Sequence, residues 1–144
     1  MNIAFDGTNM WVTSTFGGVY VINAATGGIV GNINEGWTKG IAFDGTNMWL
    51  VLSGGVVEIN TSTMAVVNTV AVGSQPDGIA FDGENIWVAN EGSNSVSEIN
   101  ANTGSVVKTV AVGTNPDCIA FDGADIWVGN YSDNTVTKIP DIQY

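Results

Sequence analysis

The stretch Ile79-Ala80-Phe81-Asp82-Gly83-Glu84-Asn85-Ile86-Trp87-Val88-Ala89-Asn90 decides how this chain folds. Its first three residues are apolar. They run into Asp82-Gly83, a pair suited to tight turns that need positive φ. Ile, Trp and Val then recur over 85–89, the composition of a pleated, largely buried strand. A Gly/Ser/Asn-rich loop follows over 90–94. Residues 96–100 alternate apolar and polar like a half-exposed strand. After the turn at 101–104, residues 105–112 form a β-branched strand. The unit therefore reads as four strands, A to D. No part of the chain combines helical periodicity with caps.

The same unit recurs along the chain. Ala-Phe-Asp-Gly begins at Ala4, Ala42, Ala80 and Ala120, spaced 38, 38 and 40 residues apart. A tryptophan follows each at a fixed distance, at Trp11, Trp49, Trp87 and Trp127. The C strands end in Ile22-Asn23, Ile59-Asn60, Ile99-Asn100 and Ile139-Pro140. Four strands repeated every ~40 residues predict an all-β fold, a β-propeller of about four blades. The repeat units are about 1–40, 41–78, 79–118 and 119–144, within one domain spanning 1–144. The fourth unit lacks a D strand. The tryptophans are expected to fill the space between blades, since each carries a large apolar area.

Trp87-Val88-Ala89-Asn90, Trp127-Val128-Gly129-Asn130 and the run Val110-Ala111-Val112-Gly113-Thr114-Asn115-Pro116-Asp117 resemble the YVTN-type β-propeller repeat. Units three and four match best. Unit one departs at Trp11-Val12-Thr13-Ser14, and unit two at Trp49-Leu50-Val51-Leu52 with a shorter B–C loop. The resemblance implies a propeller whose D–A and B–C loops share one functional face. It carries little about activity, because such folds serve many roles. The architecture is also similar to that of virginiamycin B lyase-like propellers, which rely on a catalytic His. This chain has no His, so that activity does not carry over.

Composition removes several functions. The chain has 144 residues, three Lys+Arg against 14 Asp+Glu, and a formal net charge of −11. All three cations are lysines (Lys39, Lys108, Lys138). Binding of nucleic acid or anionic lipid requires a positive surface that this balance does not supply. Without His there is no Ser-His or Cys-His nucleophile and no His-ligated metal or haem. The lone Cys118 allows no internal disulfide. It reads as a small inert residue, since no base or cation adjoins it in sequence. No signal peptide and no run of ~18 apolar residues is visible. That places the chain in the cytoplasm by default, although the family it resembles is often extracellular.

The D–A loops are read as 34–40, 73–78 and 113–118, and the B–C loops as 13–18, 52–55, 90–95 and 130–134. Alignment brings Trp37, Gln75 and Asn115 to one position, and Lys39, Asp77 and Asp117 to another. Trp37, flanked by Glu35 and Lys39, reads as an anchor for a protein or carbohydrate partner, or as a cap on the core beneath its loop. Gln75, Asn115 and Tyr131 complete the candidate partner-binding set. Asp77 and Asp117 are expected at the channel mouth. They read as weak candidate ligands for Ca²⁺, or as turn residues capping backbone N–H groups. The four Asp-Gly pairs lack the ligand pattern of calcium loops and read as hairpin turns. No catalytic residue and no confident cofactor is assigned.

Three assemblies fit the repeat count: a lone four-bladed ring, a piece of a longer propeller, or a homodimer closing an eight-bladed ring. The homodimer is the expectation, because closure covers exposed blade faces. Blade one would offer Ile3-Ala4-Phe5 and Trp11, and blade four Ile119-Ala120-Phe121 and Trp127. The expected function is a non-enzymatic binding or scaffold module. The alternatives are a cation-dependent lyase or hydrolase using channel carboxylates, and a recently amplified repeat whose role is assembly only.

Overall fold

The computed structural model describes residues 1–142. Fifteen strands form four antiparallel sheets among them. Blade 1 comprises β1 (Ile3–Phe5), β2 (Asn9–Thr13), β3 (Val19–Asn23) and β4 (Ile29–Ile33). Blade 2 comprises β5 (Thr38–Phe43), β6 (Asn47–Leu52), β7 (Gly55–Asn60) and β8 (Val66–Val70). Blade 3 comprises β9 (Pro76–Phe81), β10 (Asn85–Asn90), β11 (Ser95–Asn100) and β12 (Val106–Ala111). Blade 4 has three strands, β13 (Pro116–Phe121), β14 (Asp125–Asn130) and β15 (Thr135–Pro140). Each blade is a meander whose strands pair in sequence order, as short turns between antiparallel neighbours dictate. The only helical element among the described residues is a three-residue 3₁₀ turn, Glu91–Ser93, inside the loop read at 90–94.

The innermost strands of blades 2 to 4 start earlier than the apolar run suggests. β9 and β13 begin at Pro76 and Pro116, so Asp77 and Asp117 lie on strands rather than in loops, as does Lys39 on β5. Proline is tolerated at the first residue of a strand, where no ladder N–H is required. A register shift follows within each of these strand pairs, between Thr38 and Ile41, Val88 and Asn90, and Pro116 and Cys118. The shift interrupts the regular alternation there, which hides the strand start from a reading by period alone.

The core is three seams between successive blades. Trp11, Val19, Val21 and Ile33 meet Ile41, Met48, Leu50, Val57 and Ile59 of blade 2. Trp49, Val51, Val56 and Val70 meet Ile86, Val88 and Ile99 of blade 3. Trp87 and Val96 meet Ile126, Val128 and Ile139 of blade 4. Trp11, Trp49 and Trp87 thus each face the blade that follows, and all three are completely buried. Successive strand residues point to opposite sheet faces, so Ile3 and Phe5 face away from Trp11.

This alternation corrects the expected end faces. Trp11 belongs to the seam with blade 2, and Ile119 and Phe121 pack into the seam with blade 3. The free face of blade 1 instead carries Ile3, Phe5 and Tyr20, with half-buried Met10, Val12 and Ile22 beside them. Their counterparts in blade 2 are buried or nearly so. The free face of blade 4 carries Trp127, 39% exposed, and Val136, 64% exposed. Lys138 lies over the Trp127 ring at 5.4 Å from its centroid.

Candidate functional site

Each Ala-Phe-Asp-Gly turn is fixed by its own aspartate. In blade 3, Asp82 Oδ1 accepts the backbone N–H groups of Glu84 and Asn85 at 2.7 and 2.6 Å. Its Oδ2 accepts the Trp87 indole N–H at 2.6 Å. The indole bond recurs at Trp11–Asp6, Trp49–Asp44 and Trp127–Asp122, at 2.6, 2.7 and 2.6 Å. The Asp-Gly pairs are therefore turn formers that also orient the seam tryptophans. The constant five-residue gap between Asp and Trp was the available signal for this clamp. Partial burial pushes the Asp6 carboxyl up, but its bonds from Asn9, Trp11 and Thr8 outweigh that and hold it below its ordinary value. The Asp122 carboxyl is held low by the Trp127 bond first, then by those from Asp125 and Ala124.

On the opposite ends of the strands, D–A loops clip onto B–C loops. The Gln75 carbonyl accepts the Glu91 N–H at 3.0 Å, and the Asn115 carbonyl accepts the Tyr131 N–H at 2.9 Å. Gln75 and Asn115 both adopt left-handed backbone, at φ 48° and 53°. Asn115 also receives Ser132 Oγ–H at 2.7 Å on its Oδ1, and its N–H donates to Asn94 Oδ1 at 3.0 Å, tying blade 4 to blade 3. Beneath these loops lie Asn90 and Asn130, both buried. Asn90 Nδ2 donates to Ser95 and Ser97, and Asn130 Nδ2 to Thr135 and Thr137. Gly73 passes so close to Asn90 that a Cβ on it would lie 2.7 Å from Asn90 Cβ. Gly113 approaches Asn130 in the same way.

Lys39, Asp77 and Asp117 occupy the second position of β5, β9 and β13. Lys39 Nζ contacts Asp77 Oδ2 at 3.0 Å and Glu91 Oε2 at 3.4 Å. Burial pushes the Lys39 ammonium down, but the Asp77 bond and the charges of Asp77 and Glu91 outweigh it, so its pKa is raised. Asn2 Nδ2 donates to the Lys39 carbonyl, joining blade 1 to the row. Asp77 and Asp117 line one hollow of about 190 Å³ together with Asn2 and Cys118. Burial, then the hydrogen bond to Asp117 and its charge, push the exposed Cys118 thiol up. Among the described residues no group of three or more Asp, Glu or Cys side chains converges to hold a metal ion.

Trp37 is 73% exposed and borders a separate hollow of about 330 Å³ with Glu35, Leu52 and Val57. Lys39 points into the Asp77–Glu91 pair instead, so the structure does not join it to Trp37. Tyr131 is exposed on the blade 4 loop. The candidate residues thus fall into two groups: Lys39, Asp77 and Asp117 around the inner strands, and Trp37, Gln75, Asn115 and Tyr131 on the loops. Glu91, the second partner of Lys39, escaped the sequence reading because its loop has no acidic residue at the corresponding place in other units.

No family model and no curated protein matches this sequence. Solved structures do match the fold. The computationally designed Ika4 protein superposes with TM-score 0.85 at 14% identity, covering 96% of this chain and 88% of that chain. The computationally designed Ika8 protein gives 0.82 at 14% identity, over 96% of this chain and 44% of that one. The WD40 β-propeller domain of Doa1 gives 0.82 at 16% identity, over 97% of this chain and 49% of that one. The chain therefore spans about half the length of the latter two. Its fold is that of a β-propeller.

Proposed function

We propose that the chain is a non-enzymatic binding or scaffold module, and that two copies join head to tail into an eight-bladed ring. One observation carries this reading. Trp127 is 39% exposed, whereas Trp11, Trp49 and Trp87, its equivalents, are 0% exposed. The surface that covers those three is an apolar set on the following blade. Blade 1 presents the same set outward, with Ile3 61% and Phe5 51% exposed. The free face of blade 4 and the free face of blade 1 are thus the two halves of a fourth seam. A head-to-tail contact between them forms twice in a two-fold ring, and the second is nearly intramolecular. Burial of ~300 Å² per seam at ~25 cal/mol per Å² contributes several kcal/mol before association costs.

The ring would present the clipped loops on one face, with Trp37 and its hollow as the anchor for a protein or carbohydrate partner. The Lys39–Asp77 pair weighs against the alternative of a cation-dependent lyase, because it engages one of the two channel carboxylates. Membership of the YVTN-type repeat is supported by Asn90 and Asn130, which make the same pair of bonds to the C strand and lie against Gly73 and Gly113 of the D–A loops in blades 3 and 4. Light scattering of Trp127→Glu beside the unmodified chain tests the assembly. The reading expects the variant at half the unmodified mass, and equal masses would refute it. Trp37→Ala should keep the mass of the unmodified chain.

A further inference from the structure

Blades 2 and 3 place a glutamate at the same register. Glu58 lies opposite Trp49 on one side and Asn68 on the other. Glu98 lies opposite Trp87 and Lys108. In blade 3, Lys108 Nζ stands 2.9 Å from Glu98 Oε2 and 5.1 Å from the Trp87 ring centroid. The contact is an ion pair by proximity, since Oε2 receives no aligned hydrogen bond. Blade 2 has Asn68 where blade 3 has Lys108, so its carboxylate lacks that cation. Glu58 is only 8% exposed, and its one hydrogen bond comes from Asn47 Nδ2 to Oε1 at 2.6 Å. The other end of that amide, Asn47 Oδ1, is buried and accepts nothing. Burial first, and the neighbouring Asp44 charge after it, push the Glu58 carboxyl up despite the Asn47 bond.

These groups border a cavity of about 470 Å³ between blades 2 and 3, with Phe81, Glu84 and Ala101 on its other side. The equivalent hollow between blades 1 and 2, bordered by Asp6, Asn9 and Thr61, is smaller at about 290 Å³, and Met64 reaches into that seam over Gly31. The equivalent turn residue in blade 3 is Gly104, which lies against Asn68 and brings no side chain to the gap.

We propose that this cavity binds a small alkylammonium molecule. The Glu58 carboxylate would accept its N–H donors, and its alkyl part would lie against Phe81 and Ala101. The Glu58 carboxylate is an acceptor without a paired cation, and an ammonium group is donor-only, so the chemistries match. Lys108 beside Glu98 is the internal precedent for ammonium at this position. The site lies within one chain and is independent of ring closure.

The test is a titration of n-butylammonium chloride into the isotope-labelled full chain, following the Asn47 side-chain amide by NMR. Potassium chloride at equal ionic strength and calcium chloride serve as comparisons. The amine alone should give a saturable shift. Glu58→Gln should weaken it at least about tenfold, the loss expected for a charge-assisted hydrogen bond. Asn68→Lys should abolish it by placing a lysine where Lys108 stands in blade 3. That variant keeps the test open even if Glu58→Gln fails to fold. Absence of saturation overturns the proposal, as does an equal response to potassium chloride or saturation by calcium alone. Unchanged amine binding in Asn68→Lys overturns it too.

Discussion

Asp82 satisfies two backbone donors and an indole from one carboxylate, and its three equivalents do the same in their blades. Its removal strands the buried Asn85 N–H and the Trp87 indole N–H, while the Glu84 N–H lies nearer solvent. Asp82→Ala is expected to destabilise by ~1–3 kcal/mol. Trp87→Ala removes a fully buried ring from a seam and should cost ~3–5 kcal/mol. Trp37→Ala, at an exposed site, should change stability by under ~0.5 kcal/mol. Urea unfolding of the three variants checks the order. The same clamp sets an acid response. The folded-state pKa of Asp6 and Asp122 lies below the ordinary value. Their contribution is therefore full above the unfolded value of ~3.9 and is lost as pH falls through the folded one. The stability gap between Asp122→Asn and the unmodified chain should accordingly be largest above ~pH 4 and shrink below it.

At the scale of strands and turns, composition located β10 and alternation located β11 to within a residue of their ends, and the repeat extended that reading to the equivalent strands of the other units. The starts of β9 and β13 were not legible, since a proline and a register shift break that period where Asp77 and Asp117 sit. Candidate-site residues were legible as positions but not as partnerships. Pairing of Lys39 with Glu91 depends on two blades meeting, which no local pattern encodes. The Glu58–Asn68 register was likewise recoverable only by setting units two and three side by side. It has a measurable consequence. The folded-state pKa of Glu58 is raised, so its contribution to stability is full below the unfolded value of ~4.3 and is lost as pH rises through the folded one. Glu58→Gln should therefore be more stable than the unmodified chain at neutral pH. Thermal unfolding across pH should show that difference closing as pH falls towards ~4.

For the whole molecule, the repeat count and the seam tryptophans were plain in the sequence, whereas the face each tryptophan addresses was not. That direction follows from strand order and twist, and it decides which residues each end of the arc presents. Blade 1 ends in Ile3, Phe5 and Tyr20, and blade 4 in Trp127 and Val136, positions whose equivalents are covered in the three seams inside the chain. The outer edge of β15 carries Lys138 and Pro140, residues that oppose strand addition and so favour closure through faces rather than edges. In the proposed ring, apolar contact would make closure resistant to salt, since screening acts on exposed charges and not on buried hydrocarbon. The most direct measurement is the light-scattering mass of the unmodified chain at low micromolar concentration, in low and high salt. Ring closure by two copies predicts twice the 15.0 kDa chain mass in both. A mass of 15.0 kDa at every concentration would contradict it.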